Sequence, residues 1–164
     1  MQLATLSEFL KYSNWANSEI LRHSEKLTDA QLDQPFDMGL GCLRRTLIHI
    51  HAGEHVWLQR WQGRTETPWP NELVKTPVAE IAAHFARTYE ERATFLSKVT
   101  DGDLQNPITY RDSKGSLFKA TLGDMIMQAI LHSTHHRAQA VNMLRRAAGA
   151  AFELDYMMSV RKPA

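Results

Sequence analysis

The sequence predicts an all-α protein, a four-helix bundle with one small β-hairpin before the fourth helix. Three observations carry that expectation. Four long segments repeat apolar residues at three- and four-residue steps, Gly and Pro mark the connections between them, and two strand-like stretches flank Asp112-Ser113-Lys114-Gly115. With 164 residues, the chain is long enough to bury a core as a single domain spanning 1–164.

The first helix is expected from Leu3 to about Leu27, with Leu3, Leu6, Leu10, Ser13, Asn17 and Ile20 along one side. Ser13 and Asn17 interrupt that apolar face, and Asn17 is a candidate for supporting a buried polar site. Thr28-Asp29-Ala30-Gln31 has capping-box spacing, after which Pro35, Gly39 and Gly41 mark a connection. A second helix is expected from Cys42 to Gln62, with Gly63 as its stop. Pro68 and Pro70, on either side of Trp69, keep the stretch from Arg64 to Lys75 out of helix.

Thr76 as N-cap and Pro77 at the first helical position open the third helix, which runs to about Val99 on the spacing of Ile81, Phe85, Thr88, Arg92 and Phe95. The hairpin pairs Ile108-Thr109-Tyr110 with Leu117-Phe118. Thr121 and Asp124 form the N-terminal box of the fourth helix, which ends near Gly149. Phe152 to Val160 supplies a last short helix.

Nineteen basic and 18 acidic residues nearly cancel, so charge gives no reason to expect nucleic acid or an anionic membrane as a partner. No stretch approaches the ~18 uninterrupted apolar residues of a membrane span. The single cysteine, Cys42, excludes an internal disulfide framework and fits a reducing, cytoplasmic setting. At the start of a helix its thiol has the position of a nucleophile, but no histidine lies near it in sequence, and it reads as inert.

Histidine carries the functional signal. Six of the eight fall in two short segments, His49, His51 and His55 on the second helix and His132, His135 and His136 on the fourth. His132 and His136 are four apart and stack on one helical face, where two imidazoles can share an ion. The stripe through Leu122, Met125, Ile126, Ala129, Ser133, His136, Ala140 and Met143 turns His136 into the core, with His132 at its edge and His135 outward. On the second helix, periodicity favours His51, beside the stripe of Leu43, Leu47, Ile50, Glu54 and Trp61. His49 lies off that stripe. A helix apolar on nearly all sides can be buried all round, however, and the small Ala52 and Gly53 leave space beside His49.

Tyr12-Ser13-Asn14-Trp15-Ala16-Asn17, then Thr46-Leu47-Ile48-His49-Ile50 with Glu54 and Trp57, and His132-Ser133-Thr134-His135-His136-Arg137-Ala138-Gln139 with Leu144-Arg145 together resemble the DinB/YfiT-like superfamily. The resemblance covers essentially the whole chain. It implies up-down-down-up topology, a homodimer, and a divalent metal held by three histidines, which fall here on His49, His132 and His136. Alanine at 138, where glycine is frequent, and Cys42, where serine often caps the helix, depart from the pattern without removing a ligand.

Three neutral imidazoles leave a divalent ion with its full charge and an open position, as in catalytic sites, where a bound thiol or water loses its proton near neutral pH. Zinc or nickel fits such ligands best, and iron is compatible. The expected function is a metal-dependent S-transferase acting on a low-molecular-weight thiol and an electrophile. The alternatives are a hydrolase using bound water and a non-catalytic metal-binding, stress-response bundle. Around the site, Glu54 is expected to orient an imidazole, and Arg137 to pair with Glu54 or a substrate carboxylate. Trp15, Trp57, Trp61 and Trp69 are expected to pack.

Overall fold

The computed structural model describes residues 1–149 and 152–163, so 150, 151 and 164 of the expected domain lie outside the described residues. The chain is mostly helical, with one antiparallel pair of strands among the described residues. In order it runs α1 (Leu3–Ser24), α2 (Asp29–Leu32), α3 (Leu43–Trp61), α4 (Val78–Leu96), a short 3-10 turn, β1 (Pro107–Arg111), β2 (Leu117–Thr121), α5 (Leu122–Ala148) and α6 (Tyr156–Val160). The expected second, third and fourth long helices are therefore α3, α4 and α5. No helix among the described residues is long and apolar enough to cross a membrane.

The helix ends follow local chemistry. Thr28 and Gln31 close a reciprocal capping box at α2, and the Thr121 hydroxyl accepts from the Asp124 N–H at 3.1 Å to open α5. Gly149 ends α5 in the left-handed conformation, φ 62°, with its N–H on the Arg145 carbonyl at 3.0 Å. Several boundaries differ from expectation: α4 ends at Leu96, short of Val99, and α6 starts at Tyr156 and not at Phe152. α1 stops at Ser24, where the side-chain hydroxyl bonds the Ile20 carbonyl at 2.8 Å and the chain turns toward the Thr28 box. Pro77 is the cap of α4 and not its first residue, because its ψ of 146° is extended while its carbonyl already accepts from Ile81.

The four long helices contact one another in a ring, α3 on α5 and α4, α1 on α5 and α4. Their core divides in two. One apolar cluster gathers Ile20, Leu43, Leu47, Ile81, Phe85 and Met143, the other Leu6, Leu10, Leu58, Met125 and Ile126. Between these stretches, each helix contributes buried polar residues: Ser13 and Asn17, Glu54, Thr88 and Arg92, Ser133 and Arg137. Side chains that large and polar persist in a core only when they satisfy one another. Glu54 does this for the layer. Its Oε1 accepts from Asn17 at 2.7 Å, Ser133 at 3.0 Å and Ser13 at 3.3 Å, while its Oε2 pairs with Arg92 at 2.8 Å.

Candidate metal centre

α3 is buried nearly all round, because α4 covers one side, α5 another, and the loop after Trp61 folds back along a third. Its half-buried His49 faces α5, where His132 and His136 stand one turn apart. The three offer ring nitrogens that all lie within 4.8 Å of one another. His132 Nε2 and His49 Nε2 face each other at 3.1 Å. One proton at most fits between them, so at least one of the two nitrogens turns a lone pair toward the space that the third imidazole also faces.

Neighbours fix the ring orientations. Glu72, from the loop between α3 and α4, accepts from His49 Nδ1 and from the Trp69 indole N–H, the latter at 2.6 Å. The Nδ1 proton is thereby held on the carboxylate side and Nε2 is left with its lone pair inward. The Gln139 side-chain oxygen accepts from His136 Nδ1 at 2.9 Å in the same manner. His132 Nδ1 is buried without a partner among the described residues. Its ring occupies the space where a Cβ on Gly53 would sit, and Gln139 likewise fills the place of a Cβ on Gly39, whose φ is +50°. These two glycines make the room in which the rings and their support are seated.

Burial first, then the neighbouring His136 and His49, push His132 down to about 3. Burial also lowers His136, although its bond to Gln139 opposes the shift. His132 and His136 are thereby held in the neutral form, which is the form that ligates metal. An all-nitrogen set of neutral imidazoles fits zinc, nickel or iron and does not suit calcium or magnesium, which take oxygen.

The sequence-expected residues are distributed as follows. His49, His132 and His136 are brought together, while His135 is exposed and bonds Gln139 at 3.1 Å. His51 turns to the other side of α3, where its Nε2 meets Thr88 Oγ1 at 3.1 Å and burial drives its pKa to about 4. There it lines a cavity of about 560 Å³ with His55 and His84. That cavity is the larger one, but its imidazoles do not converge, whereas the cavity of about 520 Å³ on the α5 side opens directly onto His49 and His132.

Four expectations are corrected. His136 is half-buried at the edge of the core, and Arg137, 2% exposed, takes the inward position instead. Glu54 orients no imidazole, because four groups of the polar layer occupy its oxygens. Arg137 reaches that layer through Ser13 at 2.6 Å and Asn17 at 3.2 Å, without pairing directly with the carboxylate. Trp69 and Trp57 do more than pack: both line the α5-side cavity, Trp69 through its bond to Glu72. Glu72 itself gave no periodic signal. Its signal is contextual, an acid beside tryptophan in a long proline-bearing loop of the kind that serves function.

Fold and cluster together define a class: mostly helical proteins that gather three histidines at the seam between two long helices. The model of the DinB family matches residues 1–162, and the chain belongs to that family. It is 22% identical over 153 residues to protein DinB of Bacillus subtilis (strain 168), covering 89% of this chain and 88% of that one. Among solved structures, a DinB-like protein from Bacillus cereus ATCC 10987 superposes with a TM-score of 0.71 at 24% identity, over 89% of this chain and 93% of the other. A DinB family member from Shewanella denitrificans does so with a TM-score of 0.62 at 19% identity, over 99% and 93%.

Proposed function

We propose that this chain binds a divalent metal through His49, His132 and His136 and acts as a metal-dependent S-transferase on a low-molecular-weight thiol. The observation that carries the reading is the convergence of three imidazole nitrogens beside an open cavity. An ion held there would supply a Lewis acid, lowering the pKa of a bound thiol and favouring its thiolate. The chain's own groups divide the remaining work. Glu72 and Gln139 hold the ring tautomers, Gly53 admits His132, and Trp69 and Trp57 supply apolar walls to the cavity.

Up-down-down-up topology belongs to the same reading. It is supported by the order of layers along each helix: Leu6 and Leu10 precede the polar pair on α1, as Met125 and Ile126 do on α5, whereas Leu58 follows Glu54 on α3 and Phe95 follows Arg92 on α4. A homodimer in a reducing cytoplasm completes the proposal on family likeness and the single cysteine.

Metal analysis of the purified protein, repeated on His49→Ala and His51→Ala, tests the ligand set. The ion should be lost from the first variant and retained by the second. The zinc- or nickel-loaded protein is then screened with thiols and electrophiles, and turnover is expected. Tight metal retention with no turnover would favour a non-catalytic metal-binding bundle.

A further inference from the structure

Arg60, near the end of α3, is only 8% exposed. Its guanidinium lies over two rings, 4.6 Å from the centre of Trp57 and 5.1 Å from that of Tyr110. Aromatic faces attract the cation but take up none of the N–H groups in its edge. Among the described residues, Arg60 Nε is buried without a hydrogen-bond partner and no carboxylate forms an ion pair with the side chain. Other buried arginines are matched, Arg44 by Asp29 and Asp33 and Arg92 by Glu54, while Arg137, with no direct ion pair, has its guanidinium hydrogen-bonded to Ser13, Asn17 and Thr134. Burial lowers the Arg60 pKa, with Tyr110 and Asp112 opposing from a distance, yet a guanidinium remains charged near neutrality. Holding such a charge with no counterion is costly unless a ligand supplies one. Arg60 lines two cavities, one of about 270 Å³ beside Glu66 and Asp112, and the one of about 520 Å³ that also opens onto His49 and His132.

We propose that Arg60 anchors a carboxylate of the substrate, so that the thiol taken at the histidine centre carries an acid remote from its sulfur. The inference rests on the thiol reading of that centre. With its faces against Trp57 and Tyr110, the planar guanidinium is left with an edge suited to paired hydrogen bonds to a carboxylate. Its position also sets the length of the ligand. Arg60 follows His49 by eleven residues on one continuous helix, close to three whole turns, so the two project from the same side about 16 Å apart along the axis. Both side chains lean toward the helix N-terminus, the longer arginine further, which leaves a span on the order of 10–15 Å between the guanidinium and the histidines. A thiol with its acid one or two carbons away does not bridge that gap.

The test uses the zinc-loaded protein and calorimetric titration with ω-mercaptooctanoate against ω-mercaptooctanol, and with mercaptoacetate against mercaptoethanol. The long acid should bind roughly 10- to 100-fold more tightly than the long alcohol, the range expected for hydrogen bonds to a charged group, while the short pair shows no such preference. Arg60→Gln should abolish the preference without changing zinc content or alcohol binding, and Arg60→Lys should restore only part of it. Equal binding of the long acid and alcohol by the unmodified protein, a comparison that needs no variant to fold, overturns the anchor. So does a preference that survives Arg60→Gln. Octanoate, which has no sulfur, separates the two readings: Arg60-dependent octanoate binding with no thiol engaging zinc upholds the anchor and defeats the thiol reading. Thiol binding indifferent to the carboxylate does the reverse.

Discussion

Two polar regions lie side by side between α3 and α5 and obey opposite rules. In the layer around Glu54, each carboxylate oxygen has protein partners, and the arginines nearby are bonded in turn. In the histidine cluster, ring nitrogens face one another and one buried nitrogen has no partner. A network that closes on itself rigidifies a core; one that leaves lone pairs aimed at a common point is incomplete without something from outside. Polar burial alone therefore does not mark a functional site. What marks it is the unsatisfied remainder, and the difference can be tested by asking what each region loses when one member is removed.

The largest effect is expected from Glu54→Gln. The amide keeps the shape but leaves Arg92 and Arg137 buried without their counter-charge, which should cost about 3–5 kcal/mol of stability, read by chemical denaturation of the metal-free protein. Replacing Arg92 by leucine in the same chain should recover part of the loss, since the two are coupled through one bond. A drop below ~1 kcal/mol would show that Glu54 is not the counter-charge on which the layer depends.

The same carboxylate gives the layer a pH dependence. Burial alone would raise the Glu54 pKa, but Arg92, Arg137 and the bonds from Asn17 and Ser133 outweigh it and hold the group below its ordinary value of 4.5. The unfolded chain then takes up the proton first, so this stabilisation is present above pH 4.5 and is lost as pH falls below it. Unfolding free energies measured through that window should decline more steeply for the unmodified protein than for Glu54→Gln. Parallel declines would assign the acid sensitivity to other carboxylates.

How far the sequence foretold each region follows from what periodicity can encode. His132 and His136 were legible because spacing along one helix fixes relative direction, and Thr28, Thr121 and Gly149 were legible because caps act within a few residues. The choice between His49 and His51 was not, because α3 is covered on several sides and a wheel has no empty face to orient against. The same limit placed His136 inward, where Arg137 lies, since an arginine reads as surface until partners such as Ser13 and Asn17 from α1 are known. Glu72 and Arg60 were invisible for a related reason. Their roles depend on the path of a loop and on rings brought from a hairpin, and neither leaves a repeat in the chain.

On the histidine side the expected losses concern affinity more than stability. Glu72→Gln weakens the acceptor that holds His49 Nδ1 while leaving the loop hydrogen bond to Trp69 geometrically possible. Metal affinity should fall roughly 10- to 100-fold, as for other partners of ligating imidazoles, with unfolding of the metal-free protein nearly unchanged. Competition with a chelator reads the first quantity and denaturation the second. If affinity held and stability fell, Glu72 would belong with Glu54 as a structural carboxylate, and the contrast between the regions would narrow to the three rings.

Cys42 belongs to neither region, although it starts the helix that serves both. Its side chain makes no capping bond, is 8% exposed, and leaves the first N–H groups of α3 without a side-chain acceptor from this residue. Serine at that position brings an oxygen able to accept from them, which should add about 0.5–1 kcal/mol. The opposing cost of burying a hydroxyl is removed by the same bond, so the capping gain prevails. Cys42→Ser should therefore raise the unfolding free energy slightly and leave metal content and thiol turnover as they were. Loss of turnover with metal retained would instead make the thiol a participant, and would move the chemistry from the seam between α3 and α5 to the start of α3.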